Sequence, residues 1–217
     1  AKIGAVLVPV NYRLAPLDFI YILNDSWAKV LIAQPEFISS IFKKKKSLPF
    51  LKEIILNSSS PEIKLNKEFL EYEQLLASAD LKEEQATASI KPSDIAQIYY
   101  TSGTTGKPKG VVLTYRNNDI HAEGTIAELK LSSSDRWLHV SPMFHLADAW
   151  AVWAITRVAG THVMIPRFEP KQVLWAIEEH RVTLSNFIPT MLNLLVNVPD
   201  VQSYDPVSYT HLTLPTN

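Results

Sequence analysis

The chain has 217 residues, 47% of them hydrophobic and 20% charged, with 21 lysines and arginines against 22 aspartates and glutamates. This is ordinary globular composition, long enough for a sizeable core, and its near-neutral balance offers no bulk field for nucleic acid or an anionic membrane. The absence of cysteine removes disulfides, thiolate nucleophiles and Cys-containing zinc sites together, leaving a cytoplasmic location as the default expectation.

Residues 5–10 read as a buried strand, so the chain is expected to begin inside a domain. Ala15-Pro16 then opens a helix, because proline suits a first helical position, and Phe19, Ile20, Ile22 and Leu23 follow at helical spacing. Val30-Leu31-Ile32 reads as the next strand. Strand, helix and strand within about thirty residues predict a parallel unit with a right-handed crossover. The pattern repeats with a strand over 54–56, a helix over 68–77 with Phe69, Leu70, Leu75 and Leu76 inward, and a buried strand over 95–100. Residues 43–46, a run of four lysines, and the polar stretch 57–61 read as solvated loops, since neither carries interleaved aromatics.

Further along, 111–113 is extended, 117–130 helical, 137–140 a strand, 144–158 an apolar helix and 161–165 a strand. The apolar core of that helix, residues 149–155, is closed by Thr156 and Arg157 and falls far short of the roughly 20 residues that span a bilayer. Pro170 opens a helix whose Val173, Leu174 and Ile177 share a face, followed by a strand over 183–187 and a helix over 189–196. The alternation implies an α/β fold, a layered sandwich with a mostly parallel sheet.

One connection carries chemistry: Tyr99-Tyr100-Thr101-Ser102-Gly103-Thr104-Thr105-Gly106-Lys107-Pro108-Lys109-Gly110, which holds three of the six glycines. Glycine lets backbone N–H groups turn toward one point, hydroxyls donate to phosphate oxygens, and lysine supplies mobile positive charge. The combination predicts a polyphosphate cradle. It is not the Walker loop, because Pro108 follows Lys107 and Thr101 stands where that loop has its first glycine. Nor is it the dinucleotide fingerprint, since Thr105 occupies the second glycine's place. Residues 111–113 are extended, so phosphates would meet a strand-loop-strand connection rather than a helix N-terminus.

Residues 100–110 closely resemble the signature loop of the adenylate-forming superfamily, which comprises acyl-CoA synthetases, luciferases and the adenylation domains of peptide synthetases. The resemblance extends over nearly all residues up to about Asp205. Val8-Pro9-Val10-Asn11 looks like the family's segment ahead of the Pro16 helix. Leu113-Thr114-Tyr115-Arg116-Asn117 looks like the stretch after the loop, although acyl-CoA ligases often have histidine where Tyr115 stands. Ser141-Pro142-Met143-Phe144-His145 resembles the Pro-Met-Phe-His element of acyl-CoA and aryl-CoA ligases. By that resemblance, His145 lies near the carboxylate or the incoming thiol and contributes shape and polarity. Asp148 stands where family members often place glycine, a departure that bears on the shape of the acyl pocket and on which its own residue type suggests capping or pairing. Trp150 and Trp153 read as core. His139, His145, His162 and His180 lack the close paired spacing of a helical zinc site, so no residue is assigned to a metal.

The resemblance implies an ATP-dependent acyl-CoA ligase that activates a carboxylic acid as an acyl-adenylate and transfers the acyl group to CoA. ATP, Mg2+ and CoA follow from it, with no nucleic-acid partner and no membrane span. Thr101, Ser102, Gly103, Thr104, Thr105, Gly106, Lys107 and Lys109 would hold the phosphates, with Lys109 ranked ahead of Lys107. An amino-acid-activating adenylation domain is the nearest alternative and a luciferase-like oxygenase a more distant one. A short non-catalytic nucleotide-binding module is the reading from another class.

Residues 1–205 are expected to form part of the family's large N-terminal domain, with its start and end missing. The adenine-contacting, ribose-binding and late lysine elements of the family do not appear, so no catalytic set is complete and the chain alone is expected to be inactive. Residues 206–217 resemble translated sequencing-adapter DNA and are expected to be foreign to the fold.

Overall fold

The computed structural model describes residues 2–42, 45–57, 69–79, 89–101, 106–205 and 211–213. The chain divides into two compact units, Ala1–Leu113 and Thr114–Asn217. In the first, helix α1 spans Pro16–Asp25. Proline sits in its first turn, where a missing N–H goes unnoticed, and Phe19, Ile20, Ile22 and Leu23 face inward as their spacing requires.

Strand β1 (Val30–Ala33), helix α2 (Pro35–Phe42), strand β2 (Glu53–Leu56) and the two-residue strand β3 (Leu70–Glu71) follow. The three strands pair in parallel in that order, with Val30 opposite Glu53 and Ile55 opposite Leu70. Leu23, Ile38, Ile41, Leu48, Ile54 and Leu56 close the core of this sheet. Helix α2, which supplies Ile38 and Ile41, has no counterpart among the elements expected from the sequence.

Two expectations for this unit need correction. The helix expected over 68–77 starts later, as α3 over Tyr72–Ser78, because the Glu71 side chain accepts from the Gln74 N–H at 2.7 Å and caps it there. Leu70 is spent on the ladder beside Ile55, and Leu75 and Leu76 are exposed rather than inward. Residues 5–10 are not a buried strand. Leu7 makes one isolated parallel bridge to Gln97, donating to the Ala96 carbonyl at 3.0 Å and accepting from Ile98 at 2.9 Å, while its side chain is exposed. Strands β4 (Ile95–Thr101) and β5 (Lys109–Thr114) form a separate two-stranded sheet.

The second unit opens with α4 (Tyr115–Leu129), started by a capping box. The Asn117 N–H donates to Thr114 Oγ1 at 3.2 Å and the Thr114 N–H to Asn117 Oδ1 at 2.9 Å. Then come β6 (Arg136–His139), α5 (Leu146–Arg157), β7 (Thr161–Met164), α6 (Pro170–Glu179), β8 (Leu184–Asn186), α7 (Pro189–Val196) and β9 (His211–Thr213). The strands pair in parallel in the order β7-β6-β8-β9. Part of the segment expected to be foreign to the fold thus pairs with β8, Leu184 opposite His211.

Successive residues of β6 supply two different cores, as alternation along a strand covered on both faces demands. Leu138 joins Val163, Val173, Ile177, Phe187 and Leu195 on the α6 and α7 side. Trp137 joins Ala122, Leu131, Ala151, Ala154 and Ile155 on the α4 and α5 side. Arg157 ties those two helices together, donating to Asp119 at 2.9 Å and Glu123 at 2.6 Å, although the exposure of all three groups limits its worth. Among the described residues, no helix is long and apolar enough to cross a membrane.

Candidate functional site

The Gly-rich connection is hung between β4 and β5. Tyr99 is buried and anchors the incoming strand, and Thr101, its last residue, is exposed. Ser102, Gly103, Thr104 and Thr105 lie outside the described residues. Gly106 has φ +91°, a left-handed conformation that L side chains rarely adopt, with open space where a Cβ would stand. Lys107 places its Nζ 5.5 Å from the centre of the Tyr21 ring, and Lys109 opens β5 with its side chain exposed.

The base of the loop is fixed to α1. The Tyr100 hydroxyl donates to Asp25 Oδ2 at 2.7 Å and the Tyr21 hydroxyl to Asp25 Oδ1 at 3.4 Å. Burial first, then the hydrogen bond and charge of Asp25, push the Tyr100 phenol well above its usual range, so it remains a donor. A Cβ on Gly110 would lie 3.0 Å from Ile98 Cγ2 and 3.1 Å from Tyr100 Cζ, so the ring of one motif residue occupies the space beside another. The described donors of the connection, the Lys107 and Lys109 ammonium groups and the Thr101 hydroxyl, are of the types a polyphosphate accepts from. Among the described residues, no three carboxylate, imidazole or thiol groups are placed to hold a metal ion.

The Pro142-Met143-Phe144-His145 element belongs to the second unit. His145 is the N-cap of α5, extended at φ −113° and ψ 142°, with an exposed side chain that makes no capping bond. Asp148, three residues on, is fully buried. Its Oδ1 accepts from the Trp137 indole at 2.9 Å and its Oδ2 lies 3.1 Å from His139 Nδ1. His139 Nε2 is in turn 2.9 Å from His162 Nδ1, and His162 Nε2 is 3.0 Å from Thr156 Oγ1. The carboxylate that replaces the expected glycine is therefore engaged inward with both oxygens. Trp150 and Trp153 pack partly buried against the α4 and α5 core.

The facing histidines are not legible as ligands spaced along one helix. Their signal lay in strand register: Trp137 opposes His162 across β6 and β7, and His139 lies two residues beyond Trp137 on the same face. Of the four histidines considered, only His139 and His162 meet, with rings 5.2 Å apart and 19° from parallel. His180 caps the end of α6.

Burial, and then the neighbouring His139, push His162 below the usual histidine value of 6.5, against an opposing pull from Asp148. A depressed histidine binds fewer protons folded than unfolded. Its contribution is complete above pH 6.5 and is lost as pH falls from there through the lower folded value. The urea midpoint is expected to fall between pH 7 and pH 5, and His162→Gln to flatten that dependence. Equal slopes for the two proteins would show that His162 does not titrate this way.

Comparison with known proteins bears on the family and the fold. A family model described as AMP-binding enzyme matches residues 1–214. The 4-hydroxybutyrate–CoA ligase 2 of Metallosphaera sedula is 30% identical over 213 residues, which cover 96% of this chain and 38% of that protein. A feruloyl-CoA synthase of Amycolatopsis is 32% identical over 203 residues, covering 93% of this chain and 37% of that protein. The inhibitor-bound crystal structure of the N-terminal domain of FACL13 from Mycobacterium tuberculosis superposes with a TM-score of 0.84 at 28% identity, covering 99% of this chain and 51% of that one. The chain spans less than half the length of these curated relatives. With a family match over nearly its whole length and the same α/β architecture, the chain belongs to the AMP-binding enzymes.

Proposed function

We propose that this chain serves an ATP-dependent acyl-CoA ligase. In the first half-reaction a carboxylate oxygen attacks the α-phosphorus of ATP, forming an acyl-adenylate and releasing pyrophosphate. In the second, the CoA thiol attacks the acyl carbon and AMP leaves. The observation that carries this reading is the loop's suspension between two paired strands, which holds Thr101 at one end and Lys109 at the other.

A leaving pyrophosphate accumulates negative charge, and donors held in place beforehand stabilise it without reorganising. Thr101, Ser102, Thr104, Thr105, Lys107, Lys109 and the backbone N–H groups of Gly103 and Gly106 take that role. Magnesium, which neutralises phosphate charge when bound, would be carried chiefly by the nucleotide's own oxygens. His145 shapes the acyl and thiol side. The Pro142 to His145 element supports a ligase over an amino-acid-activating domain.

The test is ATP–pyrophosphate exchange, measured in this chain extended to the length of its relatives, with a panel of aliphatic, hydroxy and aryl acids. Lys109→Ala is expected to lower exchange about 100-fold, or about 2.7 kcal/mol of barrier. Unchanged exchange would remove Lys109 from the phosphate site. Exchange driven by amino acids alone, with no CoA thioester formed, would replace the ligase reading.

A further inference from the structure

We propose that Asp148 is a positioning residue for His145: its buried carboxylate pins the first turn of α5 to β6 and sets the direction of the hydrogen-bond chain through His139, His162 and Thr156. The positioning role rests on the ligase reading above; the direction of the chain does not.

A carboxylate with no exposed surface must have its oxygens occupied, and Asp148 has two donors from one strand, Trp137 and His139. It stands at the third position of α5, where the helix dipole favours negative charge. An ionised carboxylate only accepts, so His139 must carry its proton on Nδ1. His139 Nε2 then accepts from His162 Nδ1–H, and His162 Nε2 accepts from the Thr156 hydroxyl. Every link is satisfied with both imidazoles neutral, and the orientation of the whole chain follows from the charge at one end.

The same first turn is held a second time. The Ala147 carbonyl accepts from the Asn186 side chain of β8 and from the Trp150 indole. The N-cap is drawn into this frame by its backbone, since the His145 carbonyl accepts from the Asp148 and Ala149 N–H groups at 3.4 and 3.3 Å. The exposed His145 ring is thus mounted on a turn fixed to β6 by the Asp148 side chain and to β8 through the Ala147 carbonyl. Asp148 itself has no oxygen left for a substrate and acts through His145.

Asp148→Asn separates direction from shape. The Trp137 indole can only donate, so the asparagine oxygen must face it, leaving the amide N–H to donate to His139 Nδ1. That forces both histidines to the opposite tautomer while the side chains keep their places. In imidazole 15N NMR of the 217-residue chain at neutral pH, His139 and His162 are expected as Nδ1–H tautomers, turning to Nε2–H in Asp148→Asn. Nε2–H tautomers in the unaltered chain overturn the proposal even if the variant does not fold, and unchanged tautomers in a folded variant do the same.

In the chain extended to the length of its relatives, Asp148→Ala, which unpins the turn, is expected to raise KM for the acid or the thiol several-fold, while Asp148→Asn, which keeps it pinned, leaves them unchanged. KM for ATP should be unchanged, since the phosphate loop belongs to the other unit. Unaltered KM values in a folded Asp148→Ala, or a rise in Asp148→Asn as large as in Asp148→Ala, overturn the positioning role alone. Absence of exchange in the unaltered protein with every acid overturns the ligase reading and the positioning role together, and leaves the tautomer result standing.

Discussion

Asp148→Ala is expected to cost the second unit about 3–5 kcal/mol, because it orphans two buried donors and opens a void beside them. The methyl group leaves the Trp137 indole N–H and the His139 Nδ1–H without acceptors in a region where Trp137 is 0% and His139 4% exposed. Each unsatisfied buried donor costs about 1–3 kcal/mol, and the void left beside them adds to this. Against the 5–15 kcal/mol typical of a whole domain, that is a large share. Urea unfolding followed by tryptophan emission would measure it, because Trp137, Trp150, Trp153 and Trp175 all lie in this unit. A shift below about 1 kcal/mol would mean that water reaches the orphaned donors.

Phe187→Ala should be equally damaging by a different route. Phe187 is 2% exposed and fills the α6 and α7 side of the sheet with Val173, Ile177 and Leu195. Truncating a buried phenylalanine removes its transfer energy and leaves a cavity that close-packed neighbours refill poorly, at about 3–5 kcal/mol. Trp175→Ala is the control: it deletes a larger ring from the same unit, but one that is half exposed. Because Asp148 and Phe187 belong to opposite faces of the sheet, their effects should add to within about 0.5 kcal/mol. A double variant that departs further from the sum would reveal coupling through β6 and β8.

Periodicity identified most of the elements because most of them bury one face. Phe19, Ile20, Ile22 and Leu23 mark α1, and Val173, Leu174 and Ile177 mark α6; both stretches are also announced by proline. Where local chemistry competes with apolar spacing, the sequence misleads. Glu71 caps α3 so that it starts four residues later than the leucine pattern suggests, and the apolar run at 5–10 bridges once while its Leu7 side chain stays exposed. Helix α2 is short, and its Ile38 and Ile41 follow a proline two residues after the end of a strand, which leaves little pattern to find. At the site, the phosphate motif is visible in the chain because its residues are contiguous. The Trp137, Asp148, His139 and His162 network is not, because it depends on how β6, α5 and β7 are brought together.

The Gly110 and Tyr100 contact limits which variants the loop can tolerate. The two positions are ten residues apart in sequence, but the ring of one fills the space a side chain on the other would need, and that ring is also held by Asp25 through its hydroxyl. A side chain at 110 needs both the Ile98 side chain and the Tyr100 ring to give by a few tenths of an ångström, and a smaller residue at 100 would make room only by abandoning Asp25. Drift through this part of the chain would therefore proceed by compensated changes, and a library randomising positions 98, 100 and 110 together should recover functional combinations that single-site scanning would score as forbidden.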